Sequence, residues 1–494
     1  MSKKMKITIT IEDEQGEAIV TSESERRVPY IQEMEEQGFR AAFHDLETAV
    51  LESRKEAGDK AVSEYLELIS QKKTISEYIN GDTVETSEYG IESELGQIIT
   101  KAHRITNNSQ NKTYYDSGEE LFEKTASREK FKSSRFMELA FELSTSVSVR
   151  KASHLLNRLR LEKEGISPTT LRNTIEREGA AMQRQIAQKC ETVLLGNGFD
   201  SSGALRDAER FAPSEVRHIE QAAIENASIE LNMWEYNAAD YELPSETVNV
   251  SIDDVGVKRQ TETRPKDETK QHPKRVDNTV IHVQSGKKSY ILNAASVASG
   301  LRALIGFLLF NGLIRKQIVV FADGAKEINN AVTKMFHFAN CKVILDWYHL
   351  EKKCKEQLSL ALRGSKIRNE FLDELRPCLW YGNVRGAIKL LMAIDPKKVK
   401  DFDVINKLIE YLERVQSTIP CYALRKQLGL RNSSNLGEKA NDMIVSNRQK
   451  HNGMSWSNDG SVAFATVAAA SRNNEVNRWI HRRDIGFSLL DDVA

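Results

Sequence analysis

The stretch Gln317–Lys353, QIVVFADGAKEINNAVTKMFHFANCKVILDWYHLEKK, decides the fold class of this chain. Two short runs, residues 318–321 and 342–345, are rich in β-branched and apolar residues, which is typical of strands covered on both faces. A helix-like segment separates them, and an aspartate follows each run, Asp323 and Asp346 respectively. We therefore predict a β-α-β unit with carboxylates at the strand exits, where open α/β sheets place their sites.

Asp323 by itself has two interpretations. An aspartate before a helix is a common N-terminal cap, and the helix-like segment begins at Ala325. A carboxylate at the end of a buried parallel strand can equally belong to a functional site. The choice depends on whether the fold brings other acidic residues close to Asp323.

The composition is that of a globular protein with more than one core. Of the 494 residues, 40% are hydrophobic and 29% are charged, and this length favours two to four domains. The five cysteines show no paired spacing, so we predict neither a disulfide framework nor a zinc knuckle. The longest apolar run, residues 301–314, is shorter than the roughly 20 residues of a membrane span. Because residues 1–14 also lack a signal-peptide core, we expect a cytoplasmic, nucleoid-associated protein without a membrane partner.

Charge is unevenly distributed along the chain. Residues 1–100 carry 11 Lys and Arg against 22 Asp and Glu, which leaves 59 against 49 for the remainder. The basic remainder is compatible with a polyanionic partner.

The N-terminal third alternates between strand and helix patterns. Residues 5–22 alternate apolar and polar positions around Gly16, which predicts a β-hairpin. Residues 29–71 have helical spacing with an acidic outer face, and residues 72–111 are polar without clear periodicity. We interpret the last segment as a linker.

A helix-turn-helix pattern occupies residues 149–178. Ser167 caps the second helix, and the first helix, residues 149–161, has one apolar face formed by Ala152, Leu155, Leu156 and Leu159. The second helix buries Leu171 and Ile175. Its outward residues, which suit groove hydrogen bonds and phosphate contacts, are Thr169, Thr170, Arg172, Asn173 and Arg177. The alternative is an ordinary helical hairpin with a charged face.

Strand and helix patterns from residue 248 onward follow the order βββαβαβ. Three strands, residues 248–252, 279–283 and 289–292, precede a helix at residues 295–310 and then the β-α-β unit. This order predicts a ribonuclease-H-like mixed α/β sheet whose first and fourth strands are neighbours. Asp253 and Asp323 should then lie side by side.

Two neighbouring carboxylates repel each other unless a divalent cation lies between them, and Mg²⁺ prefers such hard oxygen ligands. A third acid is therefore expected farther along the chain. Residues 351–430 have helical patterns throughout and predict an inserted helical region. Beyond it, Ser434 or Asn435 can cap a helix that carries Glu438 in its first turn.

Four sequence elements together, VSIDDVGVK, VVFADGAKEI, DWYHLEKK and NLGEKANDMIVSNRQKHNGMSWS, resemble bacterial insertion-sequence transposases of the DDE superfamily. The most similar group is mutator-like, with an all-helical insertion before the third acid. The resemblance covers residues 246–494 and, loosely, the helix-turn-helix. It implies two Mg²⁺ ions, or Mn²⁺, held by Asp253, Asp323 and Glu438, with Asp346 and His349 as a supporting catalytic pair.

Two choices stay open at the level of the sequence. Asp254 stands where the family has a small residue, so either Asp253 or Asp254 can be the first ligand. The basic segment after Glu438 adds further DNA-contact candidates. These are Arg448, Lys450 and Trp456, the last in a polar turn where an aromatic ring can stack on an unpaired base.

The sequence therefore predicts a transposase that binds double-stranded DNA at element ends and target, as a homodimer or larger assembly. A metal-dependent nuclease or resolvase and a catalytically silent DNA-binding derivative are the alternatives. The expected divisions are an acidic N-terminal region, a helix-turn-helix region, a helical connector, the first part of the core, the insertion and the core completion. Their ranges are 1–115, 116–190, 191–246, 247–350, 351–430 and 431–494.

Overall fold

The computed structural model describes residues 3–29, 38–79, 82–122, 130–163, 165–207, 216–231, 241–260, 274–450 and 454–491. The chain divides into two compact units, Met1–Ile175 and Glu176–Ala494. This division falls inside the region predicted to hold the helix-turn-helix.

The N-terminal unit begins with the predicted hairpin. Strands β1 (Lys3–Glu12) and β2 (Ala18–Val28) pair antiparallel, and Gly16 adopts a φ of 83° in the turn between them. Residues 39–71 belong to one long helix, α1 (Phe39–Glu77), which packs with small side chains such as Ala57. The hairpin prediction is confirmed.

The prediction of a linker at residues 72–111 is wrong. Helix α1 continues to Glu77, and a four-stranded sheet of order β5-β4-β3-β6 follows. Its strands are β3 (Thr83–Glu92), β4 (Gln97–Asn107), β5 (Lys112–Asp116) and β6 (Phe131–Lys132), with helix α2 (Ser117–Phe122) after β5. The sheet buries polar side chains that find partners: Thr100 Oγ1 donates to Ser63 O at 2.9 Å, for example. Because polar residues occupy buried positions of these strands, the alternation of apolar and polar residues that predicts a strand is weak here.

Three helices complete this part of the chain: α3 (Ser134–Ser146), α4 (Val149–Leu159) and α5 (Pro168–Gly196). Ser167 caps α5 as predicted, because the Thr170 N–H donates to its Oγ at 3.1 Å. Leu171 and Ile175 are fully buried. Leu159, a member of the predicted apolar face, is 63% exposed, because the chain turns there and buries Arg160, which pairs with Glu92.

The second unit contains a six-stranded sheet of order β11-β10-β7-β8-β9-β12. The strands are β7 (Thr247–Lys258), β8 (Arg275–Ser285), β9 (Lys288–Ala294), β10 (Gln317–Ala322), β11 (Cys341–Leu345) and β12 (Leu490–Asp491). Strands β7, β8 and β9 form an antiparallel meander, whereas β10 runs parallel to both β7 and β11. The predicted element order and the pairing of the first and fourth strands are confirmed.

Helices cover both faces of this sheet. In chain order the helices described in this unit are α6 (Gln221–Glu230), α7 (Val297–Phe310), α8 (Lys326–Met335), α9 (Trp347–Ala361), α10 (Ser365–Trp380), α11 (Val384–Met392), α12 (Phe402–Val415), α13 (Tyr422–Gln427), α14 (Asn435–Asn441), α15 (Asn447–Gln449), α16 (Asn458–Arg472) and α17 (Val476–Arg482). Helix α7 packs on β8 through Gly300, where a Cβ would stand 3.1 Å from Ile281. On the other face, Ser461 of the alanine-rich α16 accepts a hydrogen bond from Asn278 of β8 at 2.7 Å.

The segment predicted as an inserted helical region forms helices α9 to α13. Its apolar side chains continue the core of the sheet, because Phe321 of β10 and Leu345 of β11 share one buried cluster with leucines of α9, α10 and α12. Burying this much apolar surface fixes α9 and α12 beside the ends of β10 and β11. Among the described residues, no helix combines the length and apolarity needed to cross a membrane.

Candidate active site

The predicted acidic residues meet in one cleft of the second unit. In the parallel pairing of β7 with β10, Ser251 lies opposite Phe321, two residues before Asp253 and Asp323 respectively. Both aspartates line a small cleft together with His349 and Glu438. Topology thus brings together residues that are far apart in the sequence.

Asp253 lies in the middle of β7 and is half-buried. Its Oδ2 accepts a hydrogen bond from Asn441 Nδ2 at 2.5 Å. Burial, and next the charge of Asp323, raise the pKa of Asp253 to about 6. A cation placed between these carboxylates would lower that pKa again.

Asp254 points to the opposite face of β7, as successive residues in a strand do. Its Oδ1 accepts a hydrogen bond from Thr279 Oγ1 at 2.5 Å, and Thr279 is its direct partner on β8. Burial raises the pKa of Asp254 as well. Of the two aspartates that the sequence left open, Asp253 lines the cleft and Asp254 does not.

Asp323 stabilises the turn before α8 without capping that helix, and it also lines the cleft. Its Oδ1 accepts a hydrogen bond from the Ala325 N–H at 2.8 Å, which fixes the turn before α8. The side chain is exposed and faces the cleft. The turn contact therefore orients the carboxylate and leaves Oδ2 available to a ligand.

Asp346 acts as an anchor, because both of its oxygens are used by the protein. Oδ1 accepts from the His349 N–H at 2.9 Å and so caps α9. Oδ2 accepts from both the N–H and the hydroxyl of Ser434, the latter at 3.0 Å. Asp346 is 0% exposed, so these contacts tie the start of α9 to the start of α14. The Ser434 hydroxyl is engaged here and does not cap α14.

His349 lies between two carboxylates. Its Nε2 is 3.6 Å from Glu438 Oε1, and its Nδ1 is 3.9 Å from Asp346 Oδ1. Within the described ranges, the potential metal ligands whose donor atoms all lie within 4.8 Å of one another are Asp346, His349 and Glu438. The expected set of Asp253, Asp323 and Glu438 lines the cleft but does not form such a close group.

The helix that carries Glu438 is held very close to β7. A Cβ on Gly437 would stand only 2.4 Å from the Ser251 Cβ, so glycine is needed for this approach. One turn after Gly437, Asn441 contacts Asp253, and a π-helical segment, Asp442–Ser446, follows directly. Such segments often occur at functional sites.

Two buried polar atoms in the cleft have no hydrogen-bond partner among the described residues, His349 Nδ1 and Asn441 Oδ1. Leaving a buried polar atom unpaired costs about 1 to 3 kcal/mol, so each is expected to meet a ligand or water. The carboxylates and Asn441 Oδ1 are hard oxygen donors that fit a divalent cation such as Mg²⁺, whereas the His349 nitrogen is a softer donor. The sequence interpretation overlooked Asn441, although its i,i+3 spacing from Glu438 places both on one helix face.

Two of the predicted DNA contacts are buried. Trp456 is 7% exposed, donates through Nε1 to Gln449 O at 3.2 Å and is not available for base stacking. Arg448 is 3% exposed, its guanidinium lies 5.1 Å from the Trp456 ring, and burial lowers its pKa to about 10. These two assignments are wrong, because Trp456 lies beside β7, where its backbone N–H donates to Lys258 O, and its ring covers Arg448. Lys450 is exposed.

The residues predicted on the second helix of the helix-turn-helix are accessible to different degrees. Thr169, Thr170, Arg172 and Asn173 are exposed, and Arg177 is half-buried, 3.7 Å from Glu178. The Thr170 hydroxyl contacts Ser167 within the helix cap.

No protein-family model matches this chain, and no curated protein matches it in sequence.

Proposed function

We propose that this chain is an insertion-sequence DNA transposase with a ribonuclease-H-like core, which binds element ends and catalyses metal-dependent phosphodiester hydrolysis and strand transfer. The observation that carries the proposal is the convergence of Asp253, Asp323 and Glu438 on one cleft. The sheet order β9-β8-β7-β10-β11, a meander joined to two parallel strands, supports the same core.

The cleft residues have different roles in this proposal. Asp253, Asp323 and Glu438 would hold two Mg²⁺ or Mn²⁺ ions, which when bound activate water and stabilise the leaving oxygen of an in-line displacement. Asn441 fixes Asp253, and His349, anchored through Asp346, keeps its ring beside Glu438.

The reaction needs no protein nucleophile. Water attacks a DNA phosphodiester and breaks its P–O3′ bond, which leaves a 3′-hydroxyl and a 5′-phosphate. That 3′-hydroxyl then attacks a phosphodiester of the target, displaces its 3′ oxygen and joins the strands. Arg172 and Asn173, exposed on α5, are proposed to contact the element ends.

The test is a strand-transfer assay with Mg²⁺ and DNA carrying the inverted repeats that flank the coding region. Joined products support the proposal, cleavage without joining indicates a nuclease or resolvase, and binding alone indicates a silent derivative. Asp323→Ala should abolish joining. Intact joining in that variant would refute the site assignment.

A further inference from the structure

A tyrosine of helix α12 reaches the turn that holds Asp323. At Gly324, with φ of 85°, a Cβ would stand 3.0 Å from the Tyr411 hydroxyl oxygen. Burial raises the pKa of Tyr411, so the hydroxyl stays protonated and remains a hydrogen-bond donor. Within the described residues this hydroxyl makes no hydrogen bond, and its oxygen remains accessible to solvent.

Two cations flank the same ring. Lys353 Nζ lies 5.9 Å from the ring centroid, and the Arg414 guanidinium carbon lies 5.4 Å from it. Both side chains are exposed, and neither forms an ion pair with a carboxylate in the part of the chain that the structure describes. An ammonium, a guanidinium and a free hydroxyl are thus grouped at the edge of the acidic cleft.

This grouping has the chemistry of a phosphate site. The carboxylates of the cleft repel a polyanion, so DNA needs cationic donors nearby to bring its backbone there. Arginine, lysine and tyrosine are all common donors to phosphate oxygens, and the aromatic ring limits the positions of the two cations. A metal ion is excluded as the occupant, because the donors are themselves cationic or protonated.

We propose that Lys353, Tyr411 and Arg414 bind a backbone phosphate of the DNA strand next to the scissile bond. This inference rests on the proposed function, since it assigns the inserted helices a part in holding the substrate. The alternative is a purely structural role, in which the two cations only pack on the tyrosine ring. The experiment must distinguish phosphate binding from this role.

The experiment measures how the affinity for a 30-base-pair duplex depends on salt, with Ca²⁺ in place of Mg²⁺ to prevent cleavage. Each lost phosphate contact should flatten the slope of log K against log[salt] by about 1. We expect Lys353→Gln and Arg414→Gln each to flatten the slope by about 1. Tyr411→Phe keeps the ring and should weaken binding at constant slope.

Matched controls are Lys355→Gln, on the far side of α9, and Arg385→Gln on α11, both exposed cations. Their slopes should equal that of the wild type. An unchanged slope in the Lys353 and Arg414 variants, with normal melting temperatures, would overturn the inference. If the slopes are unchanged but the wild-type protein cleaves DNA with Mg²⁺, only this inference fails. If the wild-type protein neither cleaves nor joins DNA, the proposed function itself is refuted.

Discussion

The protonation of Asp253 depends on its surroundings, namely its burial and the charge of Asp323. Its folded pKa of about 6 exceeds its ordinary value of 3.8, so the stability linked to its protonated form is fully present below pH 4. That contribution is lost as the pH rises through 6, at a cost of about 2 to 3 kcal/mol. In EDTA, the unfolding free energy of wild type should therefore fall between pH 4 and 7 relative to that of Asp253→Asn. Urea titrations check this, and parallel pH profiles would contradict it.

Asn441 is the residue that ties Asp253 to the helix of Glu438. Asn441→Ala removes the donor to Asp253 and the unpaired Oδ1, so we expect Mn²⁺ affinity to fall 10- to 100-fold, as for other residues that orient metal ligands. Titration calorimetry with Mn²⁺ measures this without relying on activity. Asn447→Ala, an exposed asparagine a few residues later, is the control. Equal Mn²⁺ affinity in the Asn441 variant and the control would show that the contact is dispensable.

At the scale of elements, the approach of α14 to β7 sets the position of Glu438. Gly437→Ala places a methyl group against Ser251 and should push α14 away from the strand. Because a displacement near 1 Å can reduce catalysis 10²-fold, we expect cleavage to fall by about that factor while the fold persists. Cleavage rates and circular dichroism are the measurements.

The second substitution Ser251→Gly removes the opposing Cβ and should restore most of the lost activity. Rescue in this double variant is the outcome that a general loss of stability would not produce. Failure of the rescue would mean that Gly437 is required for another reason, such as its backbone conformation.

Elements with a clear pattern of apolar residues could be predicted from the sequence, and elements without such a pattern could not. Strands β7 to β11 carry buried β-branched runs, so their order and the meeting of Asp253 with Asp323 followed from pattern and topology. Strands β3 to β5 were interpreted as a linker, because hydrogen-bonded polar residues such as Thr100 occupy buried positions of the sheet. Trp456 looked exposed because its neighbours are polar, whereas only the folded chain shows its ring covered by Arg448 and Phe464. Contacts such as Asn441 with Asp253 depend on side-chain direction, which spacing alone does not determine.

At the scale of the whole molecule, strand transfer requires two element ends to be held at once. Under the proposed function, a single cleft would process one end at a time, so we predict a dimer or larger assembly when end DNA is present. Light scattering with size-exclusion chromatography should show two or more chains per complex of two end duplexes. The Asp323→Asn variant, which keeps the turn contact with Ala325, allows the assembly to be measured without cleavage. A complex with one chain and one end under all conditions would argue against paired-end joining and for a nuclease that acts on single sites.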